Sequence, residues 1–304
     1  MPFIKMKVGT AMERTELIIT SLSEYIEKVT ILPETVYYSG TSNMFHIYRG
    51  QANINWDLNP SAYRFDRFQH EKNFIYEMET IAPYAFSGMS RIEKLIKMQH
   101  FGLPTRFLDF TRNSLVALYF ACCSEHNEDG AVYEIHAFPM LRQDATPISI
   151  VMKYLFELGS TAVDPDEFLN DLNETEYPSK LFNDFKSRQG LSETLSKPYG
   201  IYPKLSNERI RNQDGVFVMA GMEITETRNI WTFQPKQYPT VQSIFEESRR
   251  IVIPYSSKNQ IIQSLDKIGI NERYLFPGLD ADARWAVRRV EAQQFLHGAV
   301  YYYK

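Results

Sequence analysis

Cysteine is almost missing from this chain. Two occur in 304 residues, Cys122 and Cys123, side by side within an apolar helical pattern. Sequence neighbours neither staple distant segments nor furnish a metal site alone. A disulfide scaffold and a zinc module are therefore excluded, no metal is expected, and the pair reads as small apolar residues in a reducing compartment, the cytoplasm. Glycine is sparse as well, at 14, and never forms the repeated pattern of a phosphate-cradling loop. The GxSxG elbow and the HExxH pair are also missing. No run reaches about 18 apolar residues, so no membrane span is expected. The first residues, Met1 to Lys7, lack the apolar stretch of a secretory leader. Excess positive charge is lacking too. A net charge of -4 speaks against broad, non-specific nucleic-acid binding, which needs many phosphate-neutralising side chains.

What is present fits one large domain, residues 1–304, with an ordinary apolar fraction of 44%. Leu17, Ile18, Leu22, Tyr25, Ile26 and Val29 recur at helical spacing and predict a helix over Glu13 to Val29. Phe45 to Tyr48 reads as a strand ending on Arg49. Helices are expected over Glu71 to Ile81 and Met89 to His100, the second with a Ser90–Glu93 capping box. Another is expected over Leu115 to Cys123, capped by Thr111 or Asn113. Strands follow at Gly130 to Ala137, Gly215 to Met219, Thr240–Val241 and Arg250 to Ile253. A helix opens at Ser257, and Ala299 to Tyr303 looks like a final strand. Residues 139–202 read as a helical insertion, acidic around Asp164 to Glu176. The class is α+β, with mixed and antiparallel strands and flanking helices.

Three groups of polar residues stand out. The stretch from Gln99 to Thr111 packs His100, Thr105, Arg106, Asp109 and Thr111 around Gly102 and Pro104, which fix the backbone. Either these side chains face a ligand, or Arg106 and Asp109 form an internal ion pair and His100 is held by its helix end. Arg49 before Gly50 suits two-pronged contact with a phosphate or carboxylate. Equally, it suits an internal pair beside a bulge. Arg209 and Gln213, four apart ahead of Gly215, form the third group. Gln213 can donate and accept at a base or nicotinamide edge, or tie two strands together.

The run Tyr48-Arg49-Gly50-Gln51, then Trp56 to Ser61 with Arg64, then Gln99 to Arg106, resembles the bacterial FRG domain, named for its Phe/Tyr-Arg-Gly triplet. Asn207 to Ile210 with Gln213, Gly215 and Phe217, and the segments Ile253–Pro254 and Leu275 to Leu279, extend the likeness. The order of elements is also faintly similar to the ADP-ribosyltransferase fold. That likeness implies a cleft for NAD, with Arg49 holding the cofactor and Thr111 fixing the nicotinamide ribose. Where that family places a Glu, this sequence has Gln213, and Glu208, Asp214 or Asp109 would have to substitute. The implied catalytic set is Arg49, Thr111, Gln213 and Asp109. The implied cofactor set is Arg49, Gln51, His100, Thr105, Arg106 and Arg209. Two functions follow as expectations. One is an NAD-dependent ADP-ribosyltransferase or glycohydrolase, a toxin or phage-defence effector acting on a nucleotide or macromolecular acceptor. The other is a nucleotide-sensing or protein-binding module without turnover.

Overall fold

The structure is a computed structural model that describes residues 17–30, 43–158, 162–172, 187–205, 207–245, 248–279, 282–287 and 290. Ten strands are found among them: β1 Leu17–Ile18, β2 Asn43–Gln51, β3 Phe107–Thr111, β4 Gly130–Arg142, β5 Ala162–Val163, β6 Tyr199–Tyr202, β7 Gly215–Met219, β8 Met222–Thr227, β9 Ile230–Pro235 and β10 Ser248–Ile253. The helices that position the site are α1 Leu22–Thr30, α2 Glu71–Ile81, α3 Arg91–His100 and α4 Ser114–Cys122. Later helices pack around the same framework. The fold is α+β.

A seven-stranded mixed sheet runs β1-β10-β4-β2-β3-β7-β6, and β6 pairs back onto β4. The thirteen-residue length of β4 makes this closure geometrically feasible. Its first half lies between β10 and β2, while Met140 to Arg142 run parallel to Gly200 to Tyr202 of β6. Strands β4, β2, β3, β7 and β6 therefore form a ring. Alternation along each strand sorts side chains to the two sides. Ile47, Leu108, Phe110, Tyr133, Val216 and Val218 fill the inside. Phe107, Phe217 and Met219 face an outer core shared with α3 and with the small antiparallel sheet β5-β9-β8.

Helix α4 lies on the other outer side, over β2 and β4. It is apolar all round, the signature of a buried helix, and it approaches the sheet very closely. A Cβ on Gly50 would fall on the Ala117 carbonyl oxygen, and one on Gly130 on the Ala121 carbonyl oxygen. The helix is capped by Asn113, whose Oδ1 accepts from Leu115 N at 3.0 Å. Helix α3 opens with the expected capping box, Ser90 with Glu93.

Three expectations need revision. Leu17 and Ile18 are not helical. They pair in parallel with Ile251 and Val252 of β10, and the helix begins only at Leu22. So short an apolar pair follows the neighbouring strand rather than its helical spacing. Thr240–Val241 is a cap and 3₁₀ turn, not a strand. Within the stretch 139–202, Met140 to Arg142 and β6 belong to the main sheet, beside the helices Thr146–Lys153, Pro165–Asp171 and Arg188–Ser196. The expected strand Ala299 to Tyr303, and the residues before Leu17, lie outside the described residues. Among the described residues, no helix is long and apolar enough to cross a membrane.

Candidate functional site

The ring has one weak seam. Strands β2 and β3 share a single registered pair, Tyr48 with Thr111. Continuing that register would set Gly50 opposite Asp109, but the strands part instead. Arg49 fills the gap. Its Nη1 donates to the Asp109 backbone carbonyl at 2.6 Å, replacing a ladder bond with a charge-assisted one. Its guanidinium carbon stands 6.0 Å from the centre of the Phe110 ring. Its Nε is buried and, among the described residues, has no hydrogen-bond partner. Burial pulls the Arg49 pKa below its ordinary value, an effect Asp109 partly offsets.

At this seam opens a cavity of about 260 Å³. Its walls come from the end of β2, the last turn of α3, β3, Phe120 of α4, the helix Glu208–Asn212 and the start of β7. Six of the residues singled out from sequence meet here: Arg49, His100, Asp109, Thr111, Arg209 and Gln213.

Asp109 is exposed, and its position is set by a short relay. Gln99 Nε2 donates to Asp109 Oδ1 at 2.7 Å, and the Thr105 hydroxyl donates to Gln99 Oε1. Gln99 is the residue the sequence reading left out of the site. Its own signal is weak, because an amide in the last turn of a helix reads as solvated surface. Arg209 lies with its guanidinium carbon 4.6 Å from the Phe276 ring centre. Burial lowers its pKa, and Asp109 opposes that shift. Burial, then the nearby Arg209 charge, lowers the pKa of His100 below the usual imidazole value, and Asp109 opposes the shift.

Thr111 and Gln213 line the cavity but hold the framework together. The Thr111 hydroxyl donates to the Gln213 backbone carbonyl at 2.6 Å and accepts from Asn113 N at 2.9 Å. Gln213 Nε2 donates to the Leu275 carbonyl at 2.9 Å, tying the end of the helix Glu208–Asn212 to the helix Glu272–Leu275.

The remaining candidates do not line the cavity. Arg106 is 1% exposed and pairs with Glu71 rather than Asp109, through Nε, Nη2 and its backbone N–H at 2.7–3.2 Å. Thr105 is fully buried and acts through Gln99. Gln51 is 2% exposed, its amide without a partner among the described residues. Of the three carboxylates weighed as substitutes for Gln213, Asp109 alone lines the cavity. Asp214, in a left-handed turn, pairs with Arg112 at 2.5 Å. Glu208 sits exposed in the first turn of its helix. No group of three or more His, Cys, Asp or Glu residues that could hold a metal occurs among the described residues.

Searches among curated proteins and among solved structures return no match to this chain. One family model does match. It spans residues 45–130, from β2 across the seam and α4 to the first residue of β4. Arg49, His100, Asp109 and Thr111 fall inside that span, Arg209 and Gln213 beyond it, and the family matched over residues 45–130 is the FRG domain.

Proposed function

We propose that the β2/β3 seam binds a phosphate-bearing nucleotide, with NAD the ligand to test first. The observation that carries this reading is the composition of the cavity walls. Two guanidinium groups, Arg49 and Arg209, flank a single carboxylate, Asp109, itself oriented by Gln99 and Thr105. Half-buried cations with N–H groups left unpaired favour an anion. At about 260 Å³ the space is near the lower end of ordinary ligand pockets, roughly 300–1,000 Å³. It suits one half of a dinucleotide, the other half lying toward solvent.

With such a ligand in place, the residues divide their work. Arg49 and Arg209 supply positive field to the phosphates. Asp109 offers a carboxylate oxygen to the ribose. On the enzymatic reading the glycosidic C–N bond breaks, its electron pair leaves with nicotinamide, and water or a macromolecular nucleophile bonds to the sugar carbon and releases a proton. Asp109 then opposes the positive charge that builds on the sugar. In a bacterial cell that chemistry would suit a toxin or phage-defence effector.

A second reading, a nucleotide-sensing or protein-binding module without turnover, draws support from Gln213. The residue is uncharged, and its amide nitrogen is committed to Leu275. Labelled NAD separates the two. On the enzymatic reading the protein releases nicotinamide, and Asp109→Asn cuts the rate about 10²-fold or more, as loss of a transition-state charge partner does. Gln213→Glu would then raise turnover, while in a sensor it weakens binding by repelling phosphate. Binding without nicotinamide release in either protein sinks the enzyme. Absence of NAD binding sinks both NAD readings.

A further inference from the structure

Two pairs of flat side chains stand beside the cavity: His100 with Phe101, which the phosphate and sugar assignments above leave unused, and Arg209 with Phe276, of which those assignments use only the charge. On the α3 side, the His100 ring lines the cavity, and Phe101 meets it edge-on with ring centres 5.3 Å apart. Phe101 is 67% exposed. The next residue, Gly102, turns the chain away at φ +92°, a conformation that suits glycine. On the other side, Arg209 lines the cavity with its guanidinium carbon over the Phe276 ring, 4.6 Å from the ring centre. Phe276 is braced in turn by an edge contact with Phe120, another cavity residue, at 5.9 Å. Among the described residues the Arg209 side chain makes no hydrogen bond or ion pair. Its guanidinium therefore stands over one aromatic ring with no polar partner competing for it.

We propose that these groups form a nucleobase clamp and that the ligand of the seam is a purine nucleotide. The inference rests on the nucleotide reading above and deepens it. A purine entering beside His100 and Phe101 stacks on an aromatic surface otherwise left to water. Arg209, planar and backed by Phe276, covers the base from the other side. Guanidinium planes and aromatic rings are the usual partners of an unpaired base, and each such contact tolerates any base with a π face, the larger purines most. Burial and the Arg209 charge both shift His100 toward its uncharged form, which adds no repulsion against Arg209.

The test compares AMP with ribose 5-phosphate by calorimetry, since the two differ only in the base. The wild type is expected to bind AMP at least about tenfold more tightly, the equivalent of one stacking contact. Phe101→Ala changes an exposed side chain and should fold. It is expected to lose most of that preference while its ribose 5-phosphate affinity stays within about twofold. Arg209→Lys keeps the charge and loses the plane, so it too should lose most of the preference for AMP over ribose 5-phosphate. Quenching of 1,N6-etheno-AMP fluorescence by the wild type, and its loss in Phe101→Ala, gives a signature specific to stacking. Equal affinity for AMP and ribose 5-phosphate overturns the clamp and leaves the phosphate site standing. So does a Phe101→Ala protein with undiminished AMP preference. If neither compound binds the wild type, the nucleotide reading falls and the clamp with it.

Discussion

Arg106 and Asp109 stand three residues apart and carry opposite charges, yet they serve different parts of the molecule. β3 begins at Phe107, so Asp109 emerges on the exposed side of the sheet while Arg106 stays beneath it, where Glu71 of α2 reaches it. Both members of that pair are 1% exposed. A buried guanidinium without its carboxylate is far more costly than the intact pair. Glu71→Gln is therefore expected to destabilise the fold by about 3–5 kcal/mol, and Glu71→Leu combined with Arg106→Met to recover much of the loss. Urea unfolding of the two variants checks this, and a Glu71→Gln protein as stable as wild type would show that the pair contributes little. The same comparison shows what was legible in the sequence at this scale. The polar density of Gln99 to Thr111 marked a segment that lines the cavity, and Arg49, His100, Asp109, Arg209 and Gln213 share that cavity. Sequence could not separate Arg106 from Asp109, because the carboxylate that claims Arg106 lies 35 positions away. Nor could it show that the Thr111 hydroxyl is spent on the Gln213 carbonyl.

Elements with strong local signals were readable, and those made by their neighbours were not. The capping box of α3 and the Asn113 cap of α4 follow from side chains within three residues of each other. The four-residue β6 becomes a strand only because β7 and the far end of β4 flank it. Pro139 hid the length of β4, since proline normally argues against a strand interior. Here it pairs opposite Met44, near the end of β2. Gly50 was read as permitting a ligand or a bulge. Its geometric reason is α4, whose Ala117 carbonyl occupies the place of a side chain. A backbone carbonyl inside a helix cannot swing aside, so Gly50→Ala must lift α4 from β2. The expected loss is about 3 kcal/mol or more, at or above the upper range for overpacking. Circular dichroism in the aromatic region and a thermal melt would register it. A variant with wild-type melting would mean that helix and strand are looser than this contact implies.

At the scale of the whole molecule, the sheet closes into a ring whose strands share three or more registered pairs except at β2/β3, where one residue pair and one arginine do the joining. The cavity therefore sits where the framework is least cross-linked, and binding and stability become coupled there. Arg49 belongs to both. Arg49→Lys keeps the charge, but an ammonium cannot bond the Asp109 carbonyl and present a planar edge to an anion together. Losing the bond to the carbonyl should cost about 1.5–3 kcal/mol, the range for hydrogen bonds to charged groups. That corresponds to a melting temperature lower by roughly 3–12 °C in a protein of this size or somewhat smaller. The damage should also be local. Amide hydrogen exchange is expected to rise in the peptides carrying Gly50 and Asp109–Phe110, and to stay unchanged in β10 and its partner stretch of β4, whose six registered pairs do not depend on the seam. AMP added to the wild type should slow exchange in those same seam peptides, and in Arg49→Lys it should not. Uniformly faster exchange across the sheet would mean that Arg49 supports the whole ring rather than its seam. A variant with normal exchange and lost AMP protection would assign Arg49 to the ligand alone.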